Sequence, residues 1–113
     1  MRAAWLLCEG NVLASLEVAE SLLDRSKGLL GRSDYEGAML FPRTRAIHSF
    51  GMRFALDVAF LDGDLVVIDS LRLAPMRAPL PRLGTRNVVE ARAGSFARWS
   101  LEVGQRLEIR ETV

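Results

Sequence analysis

Two apolar runs, residues 56–61 and 65–71, are joined by Asp62-Gly63-Asp64. Asp and Gly favour a tight turn, because Gly accepts a positive φ and Asp side chains bond their own backbone. The runs are therefore expected to pair as an antiparallel hairpin. Both are largely apolar on their two faces. A hairpin of that kind belongs centrally in a sheet or barrel, covered on both sides. The pair demands further strands and a covering layer.

The rest of the chain supplies them. Residues 3–8 and 12–18 flank Glu9-Gly10-Asn11, a second hairpin pattern, and Val12, Ala14, Leu16 and Val18 alternate as a half-buried strand does. Short strands are expected at 38–41, 46–50 and 87–91, with a closing strand at 106–109. Ser21, followed by Asp24 three residues on, has the pattern of a capping box and opens a helix over 22–30 that Gly31 stops. A second helix is expected over 95–99. Residues 73–85 hold three of the four prolines and read as a long surface loop. No repeat or linker interrupts this order. The expected fold is mainly β with two short helices (α+β), a compact β-barrel or sandwich-like single domain over residues 1–113.

Composition limits the chemistry. The net charge is +1, too balanced for a chain whose main partner is nucleic acid or an anionic membrane, although a local patch stays open. All but one of the basic residues are arginine. A GC-rich coding sequence accounts for that, and so would many bidentate anion contacts. The one cysteine, Cys8, lies in an apolar strand pattern and reads as a core thiol. Residues 1–8 read as that strand rather than a signal segment, and no stretch approaches a membrane span. The expected location is cytoplasmic. One histidine and one cysteine, far apart, make a zinc site improbable, and no phosphate-cradling glycine motif is present. No metal and no cofactor are expected.

Polar residues inside apolar segments are the remaining signals. Asp57 enters an apolar strand and needs a partner, since an unpaired buried carboxylate is costly. If the chain is extended there, Arg53 shares its face. Arg32, Asp57 and Glu90 form a candidate structural polar network. His48, Arg53 and Arg77 form a candidate ligand-binding rim: the hairpin returns the chain so that the loop bearing Arg77 ends near the segment bearing His48 and Arg53, and Gly51 leaves room for close approach. His48 and Ser49 are adjacent; on a strand they point to opposite faces, so His48 cannot serve Ser49 as base. One reading is a non-catalytic binding or accessory module for a small anionic ligand or a protein segment, with no nucleic acid expected. The alternative is a small hydrolase or lyase-type enzyme using His48, Arg53 and Asp57, with histidine as the natural acid–base group near neutral pH.

Four segments, taken together, carry a resemblance. They are Arg25-Ser26-Lys27-Gly28-Leu29-Leu30-Gly31-Arg32; Ala38-Met39-Leu40-Phe41; the stretch from Phe50 to Asp62; and Val89-Glu90-Ala91-Arg92-Ala93-Gly94 with the stretch from Leu101 to Leu107. In this order, over about residues 12–109, the chain resembles the domain of unknown function 192 family. Gly51, Arg53 and Ala55 stand where the commoner pattern has Trp, Lys and Pro. The chain looks like the short bacterial form without a signal sequence. The resemblance implies a compact, mainly β fold and no activity.

Overall fold

A computed structural model describes residues 1–21, 24, 29 and 35–112. Seven strands occupy one mixed sheet: β1 (Arg2–Cys8), β2 (Asn11–Val18), β3 (Ala38–Phe41), β4 (Leu56–Leu61), β5 (Val67–Leu73), β6 (Asn87–Arg92) and β7 (Leu107–Glu111). One short helix, α1 (Ser95–Trp99), follows β6. The spatial order is β5-β4-β6-β3-β2-β1-β7, antiparallel except for the β2–β3 pair. The first expected helix falls mostly outside the described residues. Its opening contact is present: the Asp24 N–H donates to Ser21 Oγ at 3.0 Å.

The sheet has two buried faces. Along β4, Leu56, Val58 and Phe60 enter one cluster with Met39, Phe41 and Val88; Ala59 and Leu61 enter the other with Ala38, Leu40, Val89 and Ala91. The alternation is the two-residue period of the strand, satisfied on both sides. Phe96 and Trp99 of α1 pack against the second cluster. Ile47, Met52 and Phe54 pack against the first, so the segment before β4 covers that face. Gly37 precedes β3 at φ +87°, and a Cβ there would lie 2.6 Å from Ser15 Oγ. Glycine allows β3 to lie parallel beside β2.

Three expectations are corrected. The barrel is not found, because the ladder is open between β5 and β7. An isolated antiparallel bridge, Val66 with Arg106, brings the two edges together without a continuous ladder. The hairpin is not central as a unit: β4 is interior, but β5 is an edge strand whose alternate residues are exposed. Its ladder starts at Val67 because Leu65 is left-handed (φ 66°) and Val66 is taken by the bridge. Residues 46–50 form no strand, since the hydrogen bonds of Ser49 go to a loop.

Candidate functional site

Ser49 organises the region before β4. It is wholly buried. Its Oγ donates to the Ala74 carbonyl at 2.6 Å and accepts from the Arg77 N–H at 2.8 Å. Its own N–H donates to the Arg77 carbonyl at 2.8 Å, and its carbonyl accepts from Met52 and Met76 N–H groups. A hydroxyl committed in this way pins the proline-rich loop to the turn that precedes β4. It is not free to act as a nucleophile.

The pin places Arg77 beside the turn that carries His48 and leads to Arg53. All three side chains are exposed. His48 Nδ1 accepts from the Phe50 N–H at 3.1 Å, and its ring stacks on Phe50 with centroids 5.2 Å apart. Among the described residues the Arg77 guanidinium reaches only its neighbour's carbonyl, on Met76. No carboxylate among the described residues forms an ion pair with any of the three.

Asp57 lies elsewhere. It is 5% exposed, and its position in β4 turns it toward the α1 side, away from Met52 and Phe54. One carboxylate oxygen accepts from the Gly94 and Phe96 N–H groups at 2.9 and 3.0 Å. The other lies 3.4 Å from Arg72 Nε. The helix starts at Gly94, which has no side chain to cap it. Asp57 supplies the missing acceptor across 37 residues of sequence. Arg53 is not its partner, because the chain from Gly51 to Ala55 bends instead of running extended, and the shared face is lost. Sequence reasoning missed Arg72; its signal was the antiparallel register, which sets Asp57 opposite Arg72.

Glu90 occupies interior strand β6, between Met39 of β3 and Val58 of β4. It shares the Val88 face, is 5% exposed and has no hydrogen-bond partner among the described residues. Burial pushes its carboxyl up to about 8. Arg32 lies outside the described residues. No group of three metal-ligating side chains occurs among the described residues, and no helix among them is long and apolar enough to cross a membrane.

Shallow grooves lie outside this region, and two of them are bordered by arginines of the loops and of α1. One, of about 480 Å³, runs between Arg45 and residues 81–86. The other, of about 560 Å³, lies where β2 meets α1 and is lined by Ser15, Arg98 and Trp99 among others.

Comparison with known proteins gives a family but no activity. The family model of DUF192, described as an uncharacterised ACR, matches residues 6–109. The UPF0127 protein of Pyrococcus furiosus is 35% identical over 103 residues, covering 87% of this chain and 89% of that protein. The UPF0127 protein of Pyrococcus abyssi is 31% identical over 105 residues, covering 88% and 86%. These relatives are archaeal, so the likeness does not single out a bacterial form. A crystal structure of a protein of unknown function from Novosphingobium aromaticivorans superposes with a TM-score of 0.76 at 23% identity, covering 94% of this chain and 83% of that one. A chain from Sinorhizobium meliloti, named as a candidate transcription regulator, gives 0.78 at 20% identity over 95% and 92%. Likeness at that identity carries the fold and nothing about transcription. On the match over residues 6–109 and the two Pyrococcus relatives, the chain belongs to the domain of unknown function 192 family.

Proposed function

We propose that this domain is a non-catalytic binding module that takes a small carboxylate or phosphate ligand at the rim formed by His48, Arg53 and Arg77. The observation that carries the reading is the Ser49 pin. It fixes the Arg77 loop against the His48 turn through hydrogen bonds of 2.6 to 2.8 Å. Three exposed cationic or titratable groups then border one turn, and none of them forms an ion pair among the described residues. Arginine suits such ligands because its planar fork binds two oxygens at once. The hydrolase or lyase reading is weaker, because both Asp57 oxygens are engaged by Arg72 and the start of α1.

The test is a titration of the protein with inorganic phosphate and with citrate, followed by amide NMR. Saturable shifts at Phe50, Arg53 and Arg77 are expected, and the Arg53→Ala, Arg77→Ala double variant should abolish them. Full affinity in the double variant would overturn the assignment.

A further inference from the structure

The net charge of +1 conceals an uneven distribution. Residues 42–55 and 73–86 contain six arginines, one histidine and no acid; the remainder carries nine basic residues and all fourteen acids. Two backbone contacts hold these segments side by side. The Thr44 N–H donates to the Arg86 carbonyl at 2.9 Å near one end, and the Ser49 N–H donates to the Arg77 carbonyl at 2.8 Å near the other. Arg45, Arg53, Arg77 and Arg86 are exposed and form no ion pair among the described residues. Arg82, by contrast, is held by Asp69 at 2.8 Å and lies over the Phe60 ring.

The same two segments present apolar side chains to solvent. Phe50 is 47% exposed, Met76 59%, Leu80 81% and Leu83 99%. Leu80 and Leu83 stand almost clear of the surface on a loop stiffened by Pro79 and Pro81. A protein partner would need a preformed pocket for each of these convex tips. A lipid interface needs none, because its acyl boundary deforms around them. Neither segment contains an acid, and Asp69, which reaches the loop from β5, is held by Arg82, so the unpaired arginines beside the leucines complement lipid phosphates. We infer that this face docks on an anionic lipid surface. Leu80 and Leu83 enter the acyl boundary, and Arg45, Arg53, Arg77 and Arg86 lie at headgroup level. The acid-rich remainder is repelled from the same surface, which orients the domain on it. The inference goes beyond the soluble-ligand reading above and does not require it.

The experiment is co-sedimentation of the full chain with vesicles of phosphatidylcholine plus phosphatidylserine, against phosphatidylcholine alone. Binding is expected on the mixed vesicles only, and it should weaken as salt is added. Leu80→Ser with Leu83→Ser should lower affinity by about tenfold or more for each leucine. Arg45→Ala with Arg86→Ala should lower it by about fivefold per arginine. These exposed sites should leave the denaturant midpoint in place, which separates lost docking from lost fold. Three results would overturn the inference: no binding of wild type to mixed vesicles, wild-type affinity in the double-serine variant, or binding to soluble poly-glutamate without binding to vesicles. The last assigns the face to an acidic polypeptide. Phosphate binding is measured separately, so either reading can fail while the other stands.

Discussion

Glu90 and Asp57 are equally buried carboxylates with opposite surroundings. Asp57 satisfies two N–H groups of α1, and Arg72 contributes less because its side chain is 62% exposed. Asp57→Ala should cost on the order of 2–4 kcal/mol, because the Gly94 and Phe96 N–H groups are left without an acceptor. An unchanged denaturant midpoint would refute this. Among the described residues Glu90 has no such compensation, and burial makes the folded state hold its proton more tightly than the unfolded chain does. Between the ordinary glutamate value of 4.5 and about 8 the folded state binds more protons, and stability therefore falls as pH rises through that window. The full effect is on the order of 5 kcal/mol. Glu90→Gln should flatten the stability–pH profile over this range; an unaltered slope in urea melts at several pH values would contradict it. The need of Asp57 for a partner was legible, since it interrupts an apolar strand. The identity of that partner was not, because α1 lies 37 residues further on.

At the level of elements, the sequence was most readable where local chemistry decides. Residues 38–41, 56–61 and 95–99 form their elements with the expected bounds, because Pro42 and Asp62-Gly63-Asp64 end the two apolar strands and Gly94 opens the helix. It was least readable at residues 46–50, where Ile47 covers the sheet without joining it and Phe50 is exposed. Ile47 packs on the β4 face, while Ser49 spends its hydrogen bonds on the 74–77 loop. Removing the hydroxyl should release that loop selectively. Ser49→Ala is expected to cost about 1–3 kcal/mol through the orphaned Arg77 N–H. Amide exchange should accelerate at Met76 and Arg77, with Val58 and Ala59 slowed as before relative to the global rate. Equal acceleration in β4 would mean that the pin supports the whole fold. Gly37 is a second element-level device. Gly37→Ala combines a disfavoured φ with the clash against Ser15 Oγ, and should destabilise by about 2 kcal/mol or more, read as a lower melting temperature.

For the whole molecule, the open sheet makes β7 decisive. β1 pairs on one side with β2 and on the other with β7, so the two ends of the chain meet in adjacent strands. Cys8 sits opposite Leu107 in that register and is 7% exposed. Burial also pushes its thiol up, with Glu9 adding to the effect, so little reactive thiolate is present in the folded state. Without β7, β1 would become an edge and its buried side chains Leu6 and Cys8 would lose cover from Leu107 and Ile109. The Val66–Arg106 bridge would go as well, freeing β5 at the far edge. Losses at both ends of one sheet should not remain local, because the strands share two continuous cores. Cys8 is the only thiol and reports the opening directly. In the intact chain its modification by an aromatic disulfide should be slow and should track global unfolding in urea. A chain ending at residue 105 should react at the rate of an unfolded peptide and lose its β-sheet circular dichroism. Slow modification in the shortened chain would show that the other six strands fold without β7.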